Sequence, residues 1–172
     1  GDLKIINKIG SESKYGAAYK KKYKKNDLAA KIMCVNNSNN LEVKLLKKVT
    51  KYVIDNHTIH FPIMYFNEVI EKSEDMSNML LPNAVQNCPD FYLIFNEIFS
   101  GDLNMFIKSK HSVDIIQNTI TQIFFSISNF SYYTNHVHLD AHGGNFLYQE
   151  VDKEGYYDYK VNGIDVYLKN MG

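Results

Sequence analysis

Four polar residues share one short stretch late in the chain, His138-x-Asp140-x-His142-x-x-Asn145, placed after an apolar run and before Phe146-Leu147-Tyr148. Phosphoryl transfer needs a carboxylate beside the acceptor hydroxyl and oxygen ligands for magnesium, because its catalysis is mostly positioning and charge neutralisation. Asp140 and Asn145 supply those two functions. Twenty residues beyond Asn145, Val161-Asn162-Gly163-Ile164-Asp165 offers a second carboxylate at a strand end, so Asp165 is the expected second metal ligand. The competing explanation is local: polar residues also close helices and make turns.

Such a loop has to be carried by regular elements. Leu3 to Ile9 alternates as a strand, Gly10 to Gly16 reads as a loop, Ala17 to Lys22 as the returning strand and Leu28 to Val35 as a third. The polar run Asn36 to Asn40 offers a helix N-cap, followed by Leu41, Leu45, Val49 and Tyr52 at helical spacing, with Glu42 expected in the first turn. Phe61 to Ile70 and Phe91 to Asn96 read as two more strands, separated by the polar excursion Glu71 to Asp90. Leu103 to Ile107 predicts a short helix. Ile116, Ile120, Ile123, Ile127 and Phe130 keep a helical period over Asp114 to Tyr133 and predict a buried helix, with the aromatics from Phe124 to Tyr133 as core. A division between two lobes is expected near Glu97 to Gly101.

Composition limits the partners. An apolar fraction of 45% with 13% aromatics requires a packed core, and 19 basic against 19 acidic residues leaves no net charge to attract nucleic acid or a membrane surface. Every basic residue is lysine, so phosphate has to be held by lysine, backbone or metal rather than by a guanidinium fork. The run Lys20-Lys21-Lys22 with Lys24 and Lys25 reads as a solvated strand and turn. Cys34 and Cys88 are too few for a disulfide framework or a zinc site, which points to a reducing, cytoplasmic setting; no stretch approaches the length of a membrane helix.

Taken in order, these motifs resemble the eukaryotic-type protein kinase superfamily. Ile9-Gly10 to Gly16-Ala17-Ala18-Tyr19 is similar to its phosphate loop, and Leu28-Ala29-Ala30-Lys31 to the strand bearing the phosphate lysine. Glu42 to Val49 resembles the helix whose glutamate pairs with that lysine, Glu97 to Leu103 the hinge, and His138 to Asn145 the catalytic loop. The form with His142 is similar to divergent kinases of large DNA viruses and to aminoglycoside and choline kinases.

The resemblance implies an α+β fold: a five-stranded antiparallel N-lobe sheet with one helix over residues 1–97, then a helical, truncated C-lobe over residues 98–172. It implies ATP and Mg2+ as cofactors, held by Ile9, Gly10, Gly16, Ala29, Lys31, Glu42, Glu97 and Phe99 for the nucleotide and by Asn145 and Asp165 for the metal. Asp140 would be the catalytic base, Lys31 would hold phosphate, and His142 would stand where a protein kinase usually has a lysine touching the transferred group. His138 would support the loop. The implied partner is a protein with a Ser/Thr hydroxyl, in host cytoplasm or a virion if the chain is viral, and with seven residues beyond Asp165 the expectation is a fragment, a truncated gene product or a C-lobe completed by a partner chain.

The departures open two other expectations. Between Gly10 and Gly16 the middle glycine is missing, Leu139 replaces the arginine that reads a phosphorylated loop, and Asp165-Val166-Tyr167 replaces Asp-Phe-Gly. His142 and Ile164-Asp165 suit a small-molecule kinase. The eroded phosphate loop suits a pseudokinase that acts as a binding module.

Overall fold

Alternating apolar and polar residues carry the first third of the chain through three antiparallel strands, β1 (Ile5–Ser13), β2 (Gly16–Tyr23) and β3 (Asn26–Cys34). The computed structural model describes residues 5–13, 16–23, 26–73, 81–151 and 155–171. Leu3 and Lys4 of the expected first strand, Lys14 of the first turn, and Lys24 and Lys25 lie outside those residues. The expected loop from Gly10 to Gly16 is strand as far as Ser13, which pairs with Gly16; the register shifts between Ile9 and Ser13 absorb the extra length.

Helix α1 (Asn37–Ile54) starts earlier than its apolar spacing suggests, because the Asn36 side chain accepts the Asn39 N–H at 2.9 Å. Glu42 therefore stands beyond the first turn, which holds no acidic residue, and Val43 rather than Leu41 is the buried residue at that level. β4 (Met64–Glu71) begins after Pro62, and β5 (Asp90–Asn96) inserts beside β3, giving the order β1-β2-β3-β5-β4. The chain is thus an α+β protein with a five-stranded antiparallel sheet.

Each face of that sheet has its own core. Met33 and Ile94, both fully buried, pack with Val43 of α1 on the inner face. Ile32 and Phe91 pack on the outer face against Val85, which stands in a short 3-10 helix (Asn83–Val85) within the excursion between β4 and β5. That cover is joined to β3 by a disulfide, Cys34 to Cys88, with Cα atoms 5.7 Å apart. Two cysteines too few for a framework still make one bridge, because β3 and the excursion bring them within disulfide range. Lys21 also departs from the solvated run expected of it: it is buried, its ammonium lies 5.2 Å from the Phe95 ring centroid, and desolvation lowers its pKa.

The second half contains β6 (Gly101–Asp102), α2 (Leu103–Phe106), α3 (Val113–Thr134), β7 (Leu147–Tyr148), β8 (Gly155–Val161) and β9 (Ile164–Asn170). β6 pairs with β7, and β8 with β9 through an Asn162-Gly163 turn whose φ values of 52° and 82° suit that dipeptide. The β8–β9 hairpin replaces the lone strand end expected around Asp165. Only the C-terminal half of α3 supplies buried residues: Asn129, Tyr133 and Thr134 are buried, whereas Ile116, Ile120, Phe124 and Tyr132 are exposed. The helical period marked the apolar stripe correctly, but a stripe becomes core only where another element covers it.

Asn129 organises that covered end. Its Nδ2 donates to Thr58 Oγ1 (3.2 Å) and to the Lys160 carbonyl (3.1 Å), while its Oδ1 accepts the Asn162 N–H (3.0 Å). The chain divides into two compact units, Gly1–Lys47 with Pro62–Ile98, and Lys48–Phe61 with Phe99–Gly172. The break at Ile98 lies within the hinge region read from the sequence, and Lys48–Phe61 joins the second unit rather than the first. No helix among the described residues is long and apolar enough to cross a membrane.

Candidate functional site

In the first unit the sheet register sets out the candidate residues. Ile9 pairs with Ala18, Ala18 with Lys31, and Lys31 with Ile94, so these four share one face; Ala29, two residues before Lys31, shares it too. This is the face on which α1 lies, and Lys31 Nζ forms a salt bridge with Glu42 Oε1. β3 lies between β2 and β5, so Lys31 is not the solvated lysine of an edge strand.

Gly16 is required by contact as well as by conformation. Its φ is 153°, and a Cβ there would stand 2.2 Å from the Ile32 carbonyl oxygen. Gly10, by contrast, is part of β1. Glu97 is already engaged: its N–H donates to the Ile63 carbonyl at 2.8 Å, and its Oε2 accepts the Ile63 N–H at 3.2 Å. That leaves its carbonyl as the backbone group able to meet a ligand. One residue earlier, Asn96 pairs with Ala29, and its Oδ1 is buried with no hydrogen-bond partner among the described residues. Sequence spacing did not single out Asn96; its position opposite Ala29 is what identifies it.

In the second unit the polar loop follows the αL residue Asn135, which closes α3 with its N–H on the Ser131 carbonyl. His138 is held within the loop and against α3. Its Nδ1 accepts the Asp140 N–H at 3.3 Å and its ring meets Phe130 edge-on with centroids 5.2 Å apart. Asn145 Nδ2 donates to the Asp140 carbonyl (2.9 Å) and to Asp140 Oδ2 (3.1 Å), tying the two ends of the motif together.

His142 Nδ1 accepts the Gly144 N–H at 3.1 Å, and its Nε2 lies 3.2 Å from Asn145 Nδ2 and 3.7 Å from Asp140 Oδ2. Gly143 leaves room for α2, since a Cβ on it would meet Asn104 Oδ1 at 2.4 Å. The loop is braced from the same side by the Leu103 N–H on the Phe146 carbonyl and the Ser100 N–H on the Tyr148 carbonyl. Phe99, the other hinge candidate, immediately precedes Ser100, and among the described residues no hydrogen bond ties it to Asp140 or Asn145.

Asp165 is paired within its own hairpin. It stands on β9 opposite Lys160, and the two side chains form a salt bridge that raises the Lys160 pKa through the hydrogen bond from Asp165's partner ammonium to its carboxylate. No hydrogen bond or ion pair joins Asp165 to Asp140 or Asn145 among the described residues. The Asn-Gly hairpin turn explains this, because it pairs Asp165 across the strand instead of leaving it at a strand end. Among the described residues no group of three or more His, Cys, Asp or Glu side chains could hold a metal ion. Asn145 Nδ2 is spent on Asp140, which leaves Oδ1 as the oxygen that Asn145 can offer magnesium, with water completing the shell.

No family model matches the chain, and no curated protein matches it.

Proposed function

We propose that this chain is an ATP- and Mg2+-dependent phosphotransferase of protein-kinase type, acting on a serine or threonine hydroxyl. The observation that carries this is the Lys31–Glu42 salt bridge, formed from two different elements on the face that also presents Ile9, Ala18 and Ala29. A protein kinase needs that pair to hold phosphate oxygens at a fixed point.

Lys31 Nζ would bind phosphate and Glu42 would orient it. Asp140 would accept the acceptor hydroxyl's proton, with Asn145 Nδ2 holding its carboxylate and the His142 ring beside it. Asn145, through its Oδ1, is the residue that would hold magnesium, which when bound neutralises phosphate charge. The buried Asn96 Oδ1 supports a base bearing an N–H donor, as adenine does.

The test is binding and transfer measured together. Calorimetry should show ATP binding that requires magnesium and is lost in Lys31→Ala, with labelled phosphate passing to protein acceptors. Transfer confined to small alcohols would instead identify a small-molecule kinase, the outcome His142 favours. The second candidate is a binding module without catalysis, favoured by Asp165 being held on Lys160 and by β1 running on through the expected phosphate loop. Absence of any nucleotide binding by the intact chain would select it.

A further inference from the structure

We propose that the Cys34–Cys88 disulfide is a reversible redox latch that fixes the Leu81–Cys88 segment over the outer face of the sheet. The inference is independent of phosphate transfer. It starts from what the segment covers: Val85 is fully buried against Ile32 and Phe91, and Leu81 and Cys88 pack around the same cluster. Besides this apolar contact and the disulfide, an exposed hydrogen bond runs from Lys72 Nζ to the Gln86 carbonyl.

The roots of the excursion are held separately. The Val35 N–H donates to the Asp90 carbonyl at 3.1 Å and the Lys72 N–H to the Pro89 carbonyl at 2.8 Å. Opening the sulfur bond therefore frees the segment without unpairing β3, β4 or β5. The start of α1 is likewise secured without sulfur, by Asn39 Nδ2 on the Cys34 carbonyl at 2.7 Å.

Two features favour reversibility over a permanent staple. Both cysteines are half-buried rather than enclosed, so a thiolate can reach the bond. The Ala84 carbonyl oxygen lies 3.2 Å from Cys34 Sγ and 3.8 Å from Cys88 Sγ. Both thiols can donate to this one acceptor when the reduced segment returns to its closed position, which sets the sulfurs side by side for reoxidation.

The exchange balances with a small thiol as reductant. A thiolate attacks one sulfur to give a mixed disulfide, and a second thiol resolves it. Two electrons and two protons pass to Cys34 and Cys88, and the reductant leaves as its own disulfide. A low-molecular-weight disulfide drives the reverse.

The experiment uses the full chain equilibrated in glutathione buffers of graded ratio, trapped with iodoacetamide and read by mass spectrometry. Limited proteolysis between Lys72 and Asp90 is followed in parallel. The expected result is a single reversible transition from no labelled cysteine to two, with several-fold faster cleavage in the reduced form. Cys34→Ser and Cys88→Ser should each be cleaved at the reduced rate in every buffer. Melting of the serine variants checks that both remain folded, so that fast cleavage reports segment release. Labelling of both cysteines in the fully oxidised buffer, failure of glutathione to open the bond, or an unchanged cleavage rate on reduction would each overturn the proposal.

Discussion

Lys31 and Glu42 come from a central strand and a helix, eleven residues apart, and meet because the sheet register and the packing of Val43 on Met33 and Ile94 leave them facing each other. Asp140, His142 and Asn145 lie within six consecutive residues and are held by one another, with their side chains exposed. The first arrangement inherits its precision from a core that serves the whole unit. The second depends on local hydrogen bonds, so a single side chain can be removed there without disturbing the core.

The largest effect expected from that contrast is on chemistry. Asp140→Ala should lower phosphoryl transfer by about 10²- to 10⁴-fold while leaving Mg–ATP affinity and melting temperature nearly unchanged. Single-turnover assays beside calorimetry check this, and equal activity in the variant would remove Asp140 as the base.

The next effect lies in the scaffold beneath the other pair. Met33→Ala leaves a void at a fully buried site and should destabilise the chain by about 2–5 kcal/mol in urea unfolding, weakening nucleotide binding only through loss of folded protein. If affinity per folded molecule also falls, the Lys31–Glu42 geometry depends on that core more tightly than the register alone implies.

Burial gives the second unit a pH response of similar size. His60 has its pKa lowered from 6.5 to about 4 by desolvation. The unfolded chain takes up the proton first, so stability is complete above the unfolded value and falls by up to about 3 kcal/mol as pH drops from about 6.5 to about 4. His60→Gln should flatten that slope in pH-dependent denaturation; an unchanged slope would assign the response to other groups.

Asn129→Ala should cost about 1–3 kcal/mol, since it takes their side-chain partner from the Lys160 carbonyl and the Asn162 N–H and leaves the Thr58 hydroxyl with the His60 N–H. Hydrogen exchange should show the loss concentrated in β8 and β9. The smallest effect belongs to the salt bridge itself. Its two side chains are 30% and 38% exposed, so a double-mutant cycle on Lys31 and Glu42 should return a stability coupling below about 1 kcal/mol. A much larger coupling would make the pair structural rather than functional.

Much of this was legible in the chain because it is local. Period-two and period-3.6 patterns located the five strands and α1 and α3, and the clustering of Asp140, His142 and Asn145 needed no folding to be seen. Lys31 and Glu42 were also named from their elements. What could not be read depends on which surfaces meet. The sequence of α3 marks an apolar stripe along its length, yet Ile116, Ile120 and Phe124 are exposed, Phe124 at 66%. Asp165 sits in a stretch that reads equally as strand end or hairpin, and only pairing across the Asn162-Gly163 turn assigns it to Lys160. Cys34 and Cys88 stand 54 residues apart, too far for pattern to join them, and their bond exists because the excursion folds back over the outer face. Residue type and spacing determined which groups are chemically able; the long-range contacts, whose partners no short window contains, decided which of them are brought together.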